Sequence, residues 1–148
     1  MVWASRCDSL STRNQREGHV QAQYTRLFTD EGGISRFSDI DVELNAKYTA
    51  PPLAPTHSAP FQATDGCFWL GVPKGWNGET PHPAPRRQVF ITVRGEYQMT
   101  AGDGAVRRFP AGSVLLLEDT TGSGHSTKIV GADELLIFAV GLPPQATG

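Results

Sequence analysis

The chain has only two cysteines, Cys7 and Cys67. They lie far apart and form no Cys-x-x-Cys pair, so neither a disulfide framework nor a thiolate metal site can be built from them. A reducing compartment is the simpler expectation. There is no basic block either: 13 Lys+Arg stand against 15 Asp+Glu, for a net charge of −2. That balance excludes an electrostatic nucleic-acid binder and leaves small molecules as the expected partners. No apolar run approaches the ~20 residues of a membrane span, and the opening MVWASRCDSLSTRNQREGHVQ lacks the apolar core of a signal peptide. The expectation is a cytoplasmic protein with no membrane partner. Internal repeats of solenoid length and convincing 3.6-residue periodicity are also lacking, which removes solenoids and helical bundles.

What is present is short apolar stretches punctuated by glycine and proline. At 148 residues the chain fits one domain. Residues 1 to 22, rich in Ser, Arg, Asn, Gln and Glu, bury too little apolar surface to offset their ordering entropy and read as a flexible tail. Residues 23 to 148 then form the single domain. Tyr24 to Thr29 and Ile34 to Leu44 predict two early strands around the turn Asp30-Glu31-Gly32-Gly33. Residues 45 to 65 hold Pro51, Pro52, Pro55 and Pro60, which argue against sheet pairing and predict a long ordered loop. Cys67 to Val72, Val89 to Val93, Glu96 to Thr100 and Ala105 to Phe109 follow as strands, the last two joined through Ala101-Gly102-Asp103-Gly104. Val114 to Leu117, Ser126 to Val130 and Leu135 to Val140 complete an all-β reading of about ten strands.

The stretch GWNGETPHPAPRRQVFITVRG, Gly75 to Gly95, carries most of the chemistry. It starts in a turn-rich segment, and an extended backbone from His82 onward lines up His82, Ala84, Arg86, Gln88, Phe90 and Thr92 on one face. Its spacing resembles the first motif of the cupin superfamily, with His82 in the first His position, Ala84 in the second, Gln88 in the Glu position and Gly95 closing the motif. Pro110-Ala111-Gly112, the strand Ser113 to Leu117 and His125 resemble the second motif. The resemblance covers about residues 66 to 140. It implies a double-stranded jelly-roll β-barrel with His82 and His125 side by side at its mouth.

Cupins typically hold a divalent metal such as Mn, Fe, Ni or Zn with three His and a Glu, so the resemblance implies His82, Gln88 and His125 as the remaining ligands. Two pocket histidines that bind no metal are the other reading, and both stay open. Gln88 can coordinate or accept a hydrogen bond but supplies no charge and no general base. Glu79 is the nearest carboxylate to replace it, as ligand or acid/base, or else an exposed turn residue. Arg86 faces inward by alternation, placed to hold a substrate carboxylate or enolate, unless the prolines bulge the chain and exchange it with Arg87. Asp119, Thr120 and Thr121 are candidates to orient His125 through its second nitrogen, or else ordinary turn residues. Trp76 and Phe90 are read as pocket wall in contact with substrate, and Trp69 as core or wall.

Two functions are carried forward. One is a small-molecule enzyme, a lyase or isomerase moving protons with His82, His125 and Glu79, with or without a divalent metal. The other is a non-catalytic module that captures a small metabolite in the same pocket. A homodimer is expected, because the early strands and residues 45 to 65 supply more sheet edge than one barrel uses.

Overall fold

Four successive branched apolar residues, Val114 to Leu117, leave a strand with no face suited to water, and the chain buries them by flanking that strand on both sides. In the computed structural model, which describes residues 20–47 and 55–145, Leu115, Leu116 and Leu117 are at most 1% exposed. The described residues form twelve strands and no helix: β1 Gln21–Thr29, β2 Ser35–Glu43, β3 Asn45–Lys47, β4 Thr56–Ser58, β5 Gly66–Val72, β6 Asn77–His82, β7 Gln88–Arg94, β8 Glu96–Thr100, β9 Val106–Pro110, β10 Val114–Leu117, β11 His125–Val130 and β12 Leu135–Gly141. The fold is therefore all-β, and no helix among these residues is long and apolar enough to cross a membrane.

The strands make a six-stranded sheet in the order β2-β1-β10-β7-β12-β5, a four-stranded sheet in the order β6-β11-β8-β9, and the ribbon β3-β4. Period-2 burial aims one face of each large sheet at the other, clearest in β12, where Leu135, Ile137 and Ala139 are buried between half-buried neighbours. Leu27, Phe90, Leu115 and Ile137 of the larger sheet meet Tyr97, Met99 and Phe109 of the smaller in one core. A second cluster, Val89, Leu116 and Leu142 with Tyr24, Ile91, Val114 and Val140, lies on the other face of the larger sheet. Gly95 joins β7 to β8 at φ +80, and a side chain there would strike the Glu134 carbonyl, so only glycine suits this change of sheet.

Three expectations need correction. First, the sheets keep free edges, at β2 and β5 in one and β6 and β9 in the other, so the described strands do not close into a barrel. Second, the proline-rich stretch contains a strand pair, Asn45 to Lys47 against Thr56 to Ser58, because all of these residues keep their backbone N–H. Pro51 and Pro52 lie outside the described residues. Third, the extended run from His82 to Thr92 is broken, and the turn-rich stretch before it holds a strand: β6 belongs to the smaller sheet and β7 to the larger, with Pro83 to Arg87 crossing between them. Pro81 is tolerated within β6 because that strand is an edge. β1 begins at Gln21, inside the expected tail, and residues 1–19 lie outside the described residues.

The larger sheet is tied to the chain leaving β10 by Glu118. Its side chain, 6% exposed, accepts from Arg26 Nε at 3.0 Å, Arg87 Nε at 3.2 Å and Gln145 Nε2 at 2.8 Å. Removing one member of such a cluster leaves buried charge unpaired, whereas exposed pairs matter little. Glu118→Ala is expected to lower unfolding free energy by about 3 kcal/mol. Glu96→Ala, which frees Arg108 at a 56%-exposed position, should cost less than about 1 kcal/mol. Urea denaturation of both variants checks the order.

Candidate functional site

The change of sheet at Pro83 to Arg87 and the loop from Glu118 to Gly124 bring β6, β7, β10 and β11 around one cavity. Its volume is about 400 Å³, and it is walled by Leu70, Val72, Trp76, Phe90, Tyr97, Met99, Leu117, Leu135 and Ile137. His82, Gln88, Tyr97, His125 and Thr127 carry its polar groups, and among the described residues no Asp, Glu, Lys or Arg lines it. This is a mostly apolar pocket with a few polar groups to orient a ligand.

His82 and His125 are register partners across β6 and β11. Their ring centroids lie 5.1 Å apart at 52°. Gly124, at φ +65, makes this approach feasible, since a side chain there would collide with the His82 carbonyl group. The same glycine is held from behind: Ser35 Oγ donates to Gly124 O at 2.6 Å and accepts from Gly102 N, also at 2.6 Å. Ser35 is fully buried. The first residue of β2 thus fixes the backbone that delivers His125.

Each imidazole has one nitrogen committed. His125 Nδ1 is 2.6 Å from Asp119 Oδ2, with both side chains at most 5% exposed. His82 Nδ1 is 3.0 Å from the Thr80 carbonyl. A carboxylate and a carbonyl accept only, so the neutral form of either ring carries its proton on Nδ1 and has its lone pair on Nε2. Asp119 is itself anchored, because its backbone carbonyl accepts from Ala84 N at 3.0 Å. Its Oδ1 is buried and has no hydrogen-bond partner among the described residues. Gln88 is 5% exposed, and its side chain lines the cavity. At the same wall, burial pushes the Tyr97 phenol well above its usual value, while the nearby Thr92 hydroxyl acts in the opposite direction.

Of the residues expected at the site, the cavity gathers His82, Gln88, His125, Phe90 and Trp76, with Ala84 beside them. Three expectations are corrected. Arg86 points away and pairs with Asp65 on the surface, while Arg87 is committed to Glu118, Gln62 and the Pro143 carbonyl. Neither lines the cavity, because the crossing at Pro83 to Arg87 breaks the alternation. Glu79 lies on the exposed edge strand β6, in a separate groove with Lys74 and Lys128. Trp69 leaves the pocket altogether and stacks edge-on with Phe138, centroids 5.0 Å apart. Of the three loop candidates, Asp119 holds His125, whereas Thr120 lines a surface groove and the Thr121 carbonyl accepts from Thr29. Tyr97, Met99 and Thr127 escaped the sequence reading, although their alternation on β8 and β11 marks the inward face.

Donor chemistry tests the site against a divalent ion. Two neutral imidazoles and one neutral amide provide no anionic ligand, and the one adjacent carboxylate is turned to the Nδ1 side of His125. Among the described residues no three His, Cys, Asp or Glu side chains come together. This set does not fit a resident Mn, Fe, Ni or Zn.

Long-range proton–nitrogen NMR spectra of the neutral rings should show the Nδ1–H tautomer for both histidines. Asp119→Asn, whose amide can donate to Nδ1, should move His125 toward the Nε2–H tautomer and leave His82 unchanged.

Compared with known proteins, the chain matches no family model and no curated protein, so its functional reading rests on this geometry.

Proposed function

We propose that this chain is a cupin-type jelly roll whose cavity performs proton transfer on a small, uncharged and largely apolar substrate, as a lyase or isomerase. One observation carries the reading: two imidazoles with Nδ1 tied back share a cavity that the Gln88 side chain also lines. The two-sheet architecture, and the pairing of His82 with His125 across neighbouring strands, support the jelly-roll assignment.

His125 Nε2 accepts a proton from a carbon next to a substrate carbonyl. Asp119 stabilises the imidazolium as it forms and holds the ring in place. The Gln88 amide donates to the carbonyl oxygen as negative charge develops there. His125 then returns the proton to a neighbouring atom, which completes an isomerisation, or to a leaving oxygen, which completes an elimination. His82 Nε2 accepts a hydrogen bond from a substrate hydroxyl and sets the orientation. With no cationic side chain among the described residues of the lining, substrates bearing carboxylate or phosphate are disfavoured.

Deuterium incorporation from D2O into a panel of small neutral ketones, followed by NMR, tests the reaction class. Exchange should occur with the wild-type protein, fall about 10²- to 10⁴-fold in His125→Ala, and be unaffected in Glu79→Ala. Ligands that quench Trp76 fluorescence without exchange would favour the binding-module reading. Exchange that survives His125→Ala but is lost in Glu79→Ala would place the chemistry on the wrong residues.

A further inference from the structure

The two edges of the six-stranded sheet are unlike. β2 carries Arg36, Asp39, Asp41 and Glu43, the charged pattern that keeps an open edge from pairing. β5 reads Gly-Cys-Phe-Trp-Leu-Gly-Val, seven residues with no charge and no proline. Trp69 is 63% exposed and Phe68 38%. One long edge of β5 pairs with β12, and among the described residues nothing pairs with the other. An uncharged, aromatic, proline-free edge is a template for another strand.

We propose that β5 pairs antiparallel with β5 of a second copy, about a two-fold axis at Trp69, and joins two six-stranded sheets into one. The strand is self-complementary in that register. Phe68 lies opposite the partner's Leu70, and Cys67 opposite the partner's Gly71. Gly66 lies opposite the partner's Val72, while the two Trp69 side chains share the outer face. Each large side chain off the axis therefore meets a medium or small one. Charge selects this edge over the other: β5 meets its own copy with no charged contact, whereas pairing β2 about its central residue would set Asp39 against Asp39 of the second copy.

The apolar rows favour a copy over an unrelated strand. Trp69, Phe138, Ile91 and Val114 are successive register partners, Tyr24 and Ile40 are partners on the next two strands, and Tyr24 packs in one cluster with Ile91 and Val114. Pairing at β5 continues this row into its own repeat. The area covered is on the order of 400 Å² per copy, about half of a standard interface, so association is reversible at micromolar concentrations. This surface replaces the early strands as the place of dimerisation and does not depend on the chemistry in the cavity.

Sedimentation velocity from micromolar to hundred-micromolar protein should show a monomer–dimer equilibrium. Trp69→Lys, at a mostly exposed position, should keep its β circular dichroism while its dimer weakens about 100-fold; a dimer unaffected by the change overturns the proposal. Register is read separately by Gly71→Cys in a Cys7→Ser background. Nothing lies within 4 Å of a side-chain carbon placed at Gly71, and Cys67 then faces the new thiol across the pair. Mild oxidation should give a covalent dimer with two bridges. Cys67 alone should not crosslink, because its partner copy lies about 13 Å along the strands, beyond disulfide reach. A monomer at every concentration, or crosslinking through Cys67 alone, overturns the proposal.

Discussion

Two adjacent carboxylates, Glu118 and Asp119, point to opposite sides of the chain as it leaves β10, and both the sheet and the cavity depend on that divergence. Glu118 reaches out to Arg26 and Arg87 and fastens β1 and the β6–β7 crossing to the end of β10. Asp119 reaches in to His125 and, through its carbonyl, holds Ala84. The Thr120 N–H donates to the Glu118 carbonyl at 2.9 Å, so a tight three-residue turn centred on Asp119 sends the two side chains to different sides. Both carboxylates are nearly removed from solvent, where interactions with charged donors are strong and unpaired charge is expensive. The lengths of β10 and of the loop after it are thereby constrained. Moving the pair by one residue would exchange the two sides.

The site sits where the chain passes between sheets. His82 ends β6, Gln88 begins β7, and His125 begins β11. Strand ends are where side chains can face a cavity while their backbones remain in the ladder. Gly124 and Ser35 supply the close packing that this junction requires. The cavity is consequently held by hydrogen bonds between loops, whereas the core beneath it is held by apolar contact among Leu27, Tyr97, Phe109 and Leu115.

The strands themselves were largely legible in the sequence. β7, β8, β10 and β12 follow from apolar alternation or a continuous apolar run, and the β8–β9 hairpin from Asp103-Gly104 between them. β6 was not, because Gly78 and Pro81 mimic a turn, and only its position at a sheet edge allows it to pair. In the pocket, His82, Gln88 and His125 are brought to one cavity. The directions of Arg86 and Glu79 were illegible for a specific reason. Alternation predicts a side chain's face only while the strand continues, and Pro83 and Pro85 interrupt it. What then decides Arg86 and Arg87 is pairing with Asp65 and Glu118, residues 21 and 31 positions away in the chain. Interactions at such separations leave no local pattern to read.

Ala84 shows what this arrangement leaves open. Its methyl group borders the cavity at 4% exposure, while its N–H is fixed to the Asp119 carbonyl. The main chain at this position is therefore immobilised by the same residue that orients His125, independently of which side chain projects from it. Ala84 also belongs to the buried core, so a larger side chain there would bring a new functional group before the two imidazoles at a cost in packing, while the hydrogen bond to Asp119, being made by the main chain, stays available.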